Sequence, residues 1–390
     1  MPNGLSVTPR RDLRIDWLRG LAMACVIVNH SKMSSLLSWV SYERFWVVTA
    51  AEVFVVLSGV VLGMVYGRRL ARDGWLAVVR GLSRRALLLY VSFVAVTVSL
   101  LVMSLTGVDV QSVAGGTDPA SEWFANPRGM DAAAWRDLAF MRSGPWPFEI
   151  VGLYVWLVVA AVPCLLALQF GGWRPVLAAS WALYLAYRLA PHPLTSAQFE
   201  NVFPIPAWQL LFVHGVVIGY YRDRVGQFVQ ARTRSATIIA ATATATFFAF
   251  ALCSPWADGP SWLHWNVVSS DRFADLYVRF FGLSDLGAGR LLNLAVALPL
   301  GYGVLTRCWT AASRLQAVFV TLGQQSLGAF VLHVYAIVAL QHLPRPNDFW
   351  LNTFLQIAIV VAIAGALKGI QRVNVRPRRA PLVGPQRLAA

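Results

Sequence analysis

Uninterrupted apolar stretches recur along the whole chain, and they constrain its fold more than any other feature. Each is about 20 residues long, the length of a helix that crosses the hydrocarbon core of a bilayer. Only 13% of the 390 residues are charged and 57% are hydrophobic, whereas a soluble domain has about 25% charged residues. The pattern predicts a polytopic membrane protein and excludes a soluble enzyme, a secreted disulfide scaffold and a disordered chain.

The stretches predict an all-α membrane bundle of about ten transmembrane helices. Residues 1–367 are predicted to form this single domain, and residues 368–390 a basic, disordered cytoplasmic tail that lies on anionic headgroups. The ten predicted helices are 15–38, 45–66, 84–106, 148–168, 174–190, 205–220, 235–254, 291–306, 316–341 and 349–367.

The distribution of basic residues predicts the orientation of the bundle. With the N-terminus inside, more than twice as many basic residues face the cytoplasm as face the outside. Both termini are therefore predicted to be cytoplasmic. Basic residues that orient the spans in the lipid bilayer account for the net charge of +15. We therefore expect no nucleic-acid partner.

Ionisable groups inside a membrane span are costly and mark candidate functional sites. The first predicted span carries Asp16, Arg19 and His30. Asp16 and Arg19 are three residues apart and can pair on one helix face. Helical rise places Arg19 and His30 on one face, about 16 Å apart along the axis. The alternatives are an interfacial topological charge for Arg19 and a packing role for His30.

Glu52 and His333 are candidate partners of His30. If the first two spans form an antiparallel hairpin centred near Ser41, Glu52 shares the depth of His30. Its carboxylate would then fix the imidazole tautomer and raise its basicity. Alternatively, Glu52 binds an arginine of an outer loop. His333 lies at a similar depth in the ninth span, where it can bound a common cavity with His30 or serve packing alone.

Six arginines separate the second and third predicted spans. Guanidinium groups bind phosphate bidentately, so this inner loop can hold the nucleotide and pyrophosphate of a cytosolic coenzyme. The alternative is a role in topology and anionic-lipid contact only. No Walker loop, GxGxxG, HExxH or CxxC motif is present, so we predict no ATP hydrolysis, dinucleotide chemistry or metal site. The arginines are Arg68, Arg69, Arg72, Arg80, Arg84 and Arg85.

Two outer loops, at about 107–147 and 255–290, are rich in tryptophan. Tryptophan at these positions is typical of an interfacial aromatic belt, and the alternative is a stacking surface for sugar rings. Gly59 and Gly63, four residues apart in the second span, predict close packing against another helix.

These segments resemble the OpgC family, membrane succinyltransferases of osmoregulated periplasmic glucans that look like relatives of the acyltransferase 3 family. The resemblance runs in family order from Arg11 to about His333. Its most specific element is the Arg19-x10-His30 pattern, and AWQLLF is the next. The segments are RIDWLRGLAMACVIVNH, AAEVFVVLSGVVLG, RRALLLY, GPWPFEIVGLYVWLVVAAVP, FPIPAWQLLFVHGVVIG and LGQQSLGAFVLHV.

The resemblance implies a multi-pass enzyme of the bacterial cytoplasmic membrane. It implies a cytoplasmic acyl-CoA co-substrate with succinyl or acetyl as the acyl group, no permanently bound cofactor, and an extracytoplasmic glycan or glycolipid acceptor. His30 would be the catalytic base and Arg19 its essential partner. Candidate substrate-lining residues are Ser58, Gln209, His333 and Tyr154.

The chain departs from the family pattern at two places. Ser31-Lys32 stands where Leu-Pro is expected, and Glu149–Gly152 replaces Asp-Ile-Leu-Pro before Tyr154. Both departures fall on the predicted acceptor side. Deep ionisable residues also mark transport routes, so a small-solute transporter or flippase is the competing function.

Overall fold

The computed structural model describes residues 11–41, 47–114, 119–230, 233–256, 261–312, 315–343 and 348–374. Within these ranges every regular element is helical, as the all-α prediction requires. The α-helices are α1 (Leu13–His30), α2 (Leu36–Ser41), α3 (Ala50–Leu105), α4 (Pro119–Ala125), α5 (Ala132–Ala139), α6 (Glu149–Gln169), α7 (Trp173–Leu189), α8 (Ile205–Tyr220), α9 (Arg222–Gln230), α10 (Thr233–Ala251), α11 (Ser270–Phe281), α12 (Ala288–Arg307), α13 (Trp309–Ala312), α14 (Gln316–Gln324), α15 (Ser326–Gln341) and α16 (Phe349–Asn374).

Among the described residues, four helices are long and apolar enough to cross a membrane: α3, α6 with the turn before it, α12 and α16. The count rises to five if α14 and α15 form one bent span. This number of membrane-length helices is smaller than the predicted ten because several of the predicted spans are charged, short or joined in one helix. Helix α1 carries three charges in its first half, α7 and α8 are short, and α3 contains two of the predicted spans.

The predicted inner loop between the second and third spans is instead helical. The only non-helical residue described within α3 is Gly74, with φ 79° and ψ 174°. A Cβ placed on Gly81 would lie 2.9 Å from the Tyr66 ring, although a straight helix would separate these residues by about 22 Å. The chain therefore folds back at Gly74 into a first arm (50–73) and a second arm (75–105).

Three predicted boundaries are wrong. The predicted helix 15–38 ends at His30, and a turn leads from it into the short α2. The predicted helix 316–341 is broken at Gln325, where α14 and α15 meet at a bend of 100°. Helix α16 continues past the predicted end at 367 to Asn374, so residues 368–374 of the predicted tail are helical, and residues 375–390 lie outside the described residues.

Glycine contacts bring the central helices together. A Cβ on Gly59 or Gly63 would lie 2.3 or 2.1 Å from a backbone oxygen of α8, which confirms the predicted close packing. Helices α1 and α14 are equally close, since a Cβ on Gly20 would lie 1.7 Å from the carbonyl oxygen of Phe319. Small residues at such contacts let helix backbones approach within a membrane.

Candidate active site

His30 and His333 meet at the centre of the candidate site. Nδ1 of His30 lies 3.1 Å from Nε2 of His333. His30 is the last residue of α1 and half-buried, whereas His333 lies in the middle of α15 and is 1% exposed. The two histidines that the sequence placed at similar depth are therefore direct neighbours.

The hydrogen bonds of this pair fix the position of its protons. Nδ1 of His333 lies 2.6 Å from the carbonyl oxygen of Phe330. A carbonyl only accepts, so Nδ1 must carry the proton and Nε2 of a neutral His333 must accept. His30 then donates from Nδ1, which leaves its own Nε2 as a free lone pair. An imidazole in this tautomer is oriented to remove a proton from a substrate.

Trp146 and Lys32 flank the imidazole of His30. The Trp146 ring centroid lies 4.7 Å from that of His30, and the Lys32 ammonium lies 4.8 Å above the Trp146 ring. Lys32 is exposed and close enough to act electrostatically on His30. One tryptophan of the first predicted outer loop thus belongs to the site.

The turn after His30 is held by Gln356 of α16. Its amide donates to Ser31 Oγ at 2.7 Å, and its carbonyl accepts from Ser35 Oγ at 2.5 Å. Both serines and Gln356 are buried. This clamp fixes the chain on either side of Lys32, whose φ is 51°.

Arg19 lies at the other end of the same helix face. Its Nη2 donates to Ser326 Oγ at 2.9 Å, and its Nε is buried without a hydrogen-bond partner. The predicted pair with Asp16 is absent, because Asp16 binds Arg11 at 2.5 Å. Arg19 is 5% exposed and has no carboxylate within 4 Å among the described residues. A buried guanidinium without a counterion favours an anionic ligand.

Aromatic rings connect Arg19 to the histidine pair. The guanidinium lies 5.2 Å from the Phe54 ring, which packs at 5.3 Å against Phe330. Phe330 in turn lies 5.7 Å from His333 and accepts its hydrogen bond. Arg19 and His30 therefore both reach α15, at Ser326 and His333.

Glu52 does not contact His30, and the dyad predicted from hairpin depth is not formed. Its Oε1 instead accepts from Arg290 Nη1 at 2.7 Å, and its Oε2 accepts from the Thr49 backbone at 2.8 Å. Arg290 is the last residue of the second predicted outer loop and lies in the first turn of α12, so the alternative of an outer-loop arginine describes the contact. Glu52 also caps α3, which fixes its side chain away from the imidazole.

The other substrate-lining candidates divide into two groups. Ser58 and Tyr154 are buried, and neither hydroxyl has a hydrogen-bond partner among the described residues. The Tyr154 ring packs at 5.7 Å against Phe54, the ring that the Arg19 guanidinium contacts. Gln209 is engaged elsewhere: its amide donates to the carbonyls of Ser180 and Pro206, and its oxygen accepts from Ser180. Gln209 therefore has no free donor for an oxyanion, and its role is to join α7 to α8.

The six arginines of α3 also divide into two groups. Arg68 binds the Met64 carbonyl of its own helix, and Arg69 and Arg72 pair with Asp73. The second arm carries three exposed arginines that form no ion pair with the described residues. One of these is close enough to act electrostatically on both Arg19 and Tyr154. The three are Arg80, Arg84 and Arg85, and Arg85 is the one near Arg19.

Sequence reasoning predicted none of the contacts of four residues in and around the site: Lys32 and Trp146 beside His30, Gln356 at the turn that follows it, and Arg290, which binds Glu52. Arg290 and Gln356 are polar residues within or beside apolar stretches, which is the signal that could have identified them. Lys32 lies in the turn after α1, and Trp146 begins the 3-10 turn before α6, so only the tertiary fold brings Trp146 to His30.

A family model described as OpgC protein matches residues 11–374. The chain belongs to the OpgC family. No curated protein and no solved structure matches it. As an OpgC-family chain with several membrane-length helices, it is a membrane transferase, and the matched range includes every residue of the candidate site described above.

Proposed function

We propose that this OpgC-family protein is a multi-pass O-acyltransferase of the bacterial cytoplasmic membrane. It transfers an acyl group, such as succinyl or acetyl, from cytoplasmic acyl-CoA to a hydroxyl of an extracytoplasmic glycan or glycolipid. The observation that carries the proposal is the tautomer of His30, whose Nε2 is left as a free base by the hydrogen bond to His333.

The donor binds at the Arg19 end. Arg19 supplies a buried guanidinium without a counterion, and Arg85 is an exposed cation that acts on Arg19. Arg80 and Arg84 are further exposed cations on the same arm of α3. Phosphates of the coenzyme are the anions that such groups bind best. The distance along α1 from Arg19 to His30 is about 16 Å, which a pantetheine arm covers, so the thioester reaches the imidazole.

The reaction is a proton transfer followed by acyl transfer. Nε2 of His30 removes the proton of the acceptor hydroxyl, and the alkoxide oxygen attacks the thioester carbonyl carbon. The C–S bond breaks, and the departing thiolate recovers the proton from His30. Alternatively, Nε2 attacks the thioester carbonyl carbon first, the C–S bond breaks and the CoA thiolate departs. The acceptor hydroxyl then displaces the acyl group from Nε2, and its proton passes to the thiolate. Ser58 and Tyr154 have unengaged hydroxyls that can donate to donor oxygens.

A small-solute transporter or flippase is the competing class. It accounts for buried ionisable residues as well as the transferase does. It gives no reason, however, for a histidine pair that leaves one nitrogen unprotonated toward a substrate. The transferase is therefore the function that the geometry favours.

The test compares His30→Ala with His214→Ala in isolated membranes. His214 is a second histidine within an apolar helix, and its contacts are to Trp181 and to the Leu210 carbonyl, so it is the matched control. Membranes receive radiolabelled acyl-CoA, and both label in the glycan fraction and released CoA are measured. We expect His30→Ala to lose about 10²–10⁴-fold in transfer, with normal membrane insertion. Transfer by His30→Ala above a tenth of the unmodified level contradicts the proposal.

A further inference from the structure

Lys32 presents an unpaired cation beside the base. Its ammonium lies 4.8 Å above the Trp146 ring, and that ring lies 4.7 Å from His30. The side chain is exposed and forms no ion pair with any described residue. A cation over an aromatic face is attracted by the ring and is therefore held in a defined position.

The backbone holds Lys32 in a conformation that lysine rarely adopts. Its φ of 51° lies in the left-handed region, a backbone conformation that residues other than glycine, asparagine and aspartate avoid. Gln356 maintains the turn through Ser31 and Ser35, on either side of the lysine. Two independent features, the clamped backbone and the aromatic ring, thus direct this ammonium to one place.

We propose that Lys32 and Trp146 form a subsite for an anionic group, a carboxylate or phosphate, on a substrate whose reacting atoms lie at His30. The two distances through Trp146 place the Lys32 ammonium within about 9.5 Å of the His30 ring, so an anion bound there lies near the acyl-transfer centre. The group comes either from the far end of a dicarboxylic acyl chain or from an acidic sugar in the acceptor. The inference rests on the proposed function for its role in acyl transfer, whereas the anion site itself is testable without activity.

The first experiment measures binding by chemical protection. The whole chain contains two lysines, Lys32 and Lys368, and both are exposed. The purified full-length protein is acetylated with an amine-selective reagent, and modification of each lysine is followed by peptide mass spectrometry. Lys368, in α16, is the internal control.

Four additives at equal ionic strength distinguish the two sources. Succinate is compared with its neutral diamide, succinamide, for the acyl source, and glucuronate with neutral glucose for the acceptor source. We expect succinate or glucuronate to slow the modification of Lys32 at least threefold, relative to its partner compound, with no change at Lys368. The compound that protects identifies the source. Equal modification of Lys32 with all four compounds overturns the proposal.

The second experiment measures substrate selectivity. The ratio of kcat/KM for an anionic substrate to that for its neutral analogue is determined for Lys32→Gln, Lys32→Arg and Lys368→Gln. We expect Lys32→Gln to lower the ratio about tenfold, which corresponds to about 1.4 kcal/mol, and Lys32→Arg to restore most of it. Lys368→Gln keeps the unmodified ratio. An unchanged ratio in Lys32→Gln contradicts the subsite.

The two experiments separate this inference from the proposed function. Protection of Lys32 without any acyl transfer supports the anion subsite and refutes the transferase. Transfer that depends on His30, combined with no protection and no change of ratio, refutes the subsite and retains the transferase.

Discussion

Glu52 and Arg290 form an ion pair in which neither side chain is more than 1% exposed. Arg290 also donates to the Phe281 carbonyl and to the Tyr277 hydroxyl. The pair therefore ties the start of α3 to α11 and α12. This position gives Glu52 a structural role that replaces the predicted contact with His30.

Removing one partner of this pair should destabilise the fold. Glu52→Gln or Arg290→Met leaves one buried charge uncompensated, which costs about 3–5 kcal/mol. We expect a large fall in the thermal unfolding temperature of the detergent-solubilised protein. The double variant Glu52→Leu, Arg290→Met removes both charges and should recover part of the loss. A Glu52→Gln protein with unchanged stability and lost transfer would instead support a catalytic carboxylate.

His333 is a positioning residue, and its substitution should lower kcat rather than donor binding. His333→Leu removes the acceptor for His30 Nδ1, so both tautomers and several ring orientations become accessible. We expect kcat to fall about 10²-fold or more with donor KM within about twofold. His333→Gln keeps an acceptor oxygen and should retain an intermediate kcat. Equal kcat in the two variants would contradict a tautomer-fixing role.

The exposed arginines of the second arm of α3 should set donor affinity. Single Arg→Gln changes at Arg80, Arg84 or Arg85 remove a phosphate contact that is made equally in the ground and transition states, so kcat should hold while KM for acyl-CoA rises. Exposure weakens each contact, so we expect a rise of about 3- to 30-fold. Arg72→Gln is the matched control, because Arg72 already pairs with Asp73. A wild-type KM in all three variants leaves Arg19 as the donor cation.

The predicted topology can be tested with the two lysines. An amine reagent that does not cross membranes should modify Lys32 in intact cells with a permeabilised outer envelope, whereas Lys368 should react only after the inner membrane is opened. Peptide mass spectrometry measures both sites in one sample. Reaction of Lys368 in unopened cells would place the end of α16 outside and overturn the cytoplasmic C-terminus.

Asp12 should make stability dependent on acid pH. Burial opposes ionisation of this carboxyl, but hydrogen bonds from Arg14 and Tyr302 outweigh it and hold the pKa of Asp12 below its usual value of 3.8. The stabilisation is therefore present above the unfolded pKa and is lost as pH falls through the lower folded pKa. We expect Asp12→Asn to cost about 1–3 kcal/mol at neutral pH, measured by thermal unfolding, with a smaller loss below pH 4. An equal loss at both pH values would exclude this linkage.

The sequence predicts the helical class and the Arg19–His30 spacing because both depend on local periodicity. The length of the apolar stretches is sufficient to predict the helical class, and the rise of a single helix is sufficient to predict the Arg19–His30 spacing. The hairpin argument that paired Glu52 with His30 is wrong because it assumed that α1 continues to residue 38. The chain leaves the helix after His30. The depth of Glu52 in α3 relative to His30 therefore differs from that of a continuous hairpin.

Contacts between distant segments could not be predicted in the same way. His30 and His333 are 303 residues apart in the chain, so similar depth could suggest a shared cavity but not a hydrogen bond. The break at Gln325 that directs Ser326 toward Arg19 has no proline or glycine at the bend itself. The reversal between the second and third predicted spans was expected, but not that both sides of it are helical and that it occurs at Gly74, because arginine-rich sequence on both sides is typical of a loop.

The contact between α1 and α14 bears on what moves during a catalytic cycle. A Cβ on Gly323 would lie 1.8 Å from the carbonyl oxygen of Asp16, and Gly20 is as close to Phe319. Two backbones in direct contact at both glycines cannot slide past each other without separating. Rocking of α1 against α14, which an alternating-access carrier would use, is therefore opposed at this seam. In the proposed transfer, α1 therefore stays in place against α14, and the acyl chain moves along α1 from Arg19 to His30.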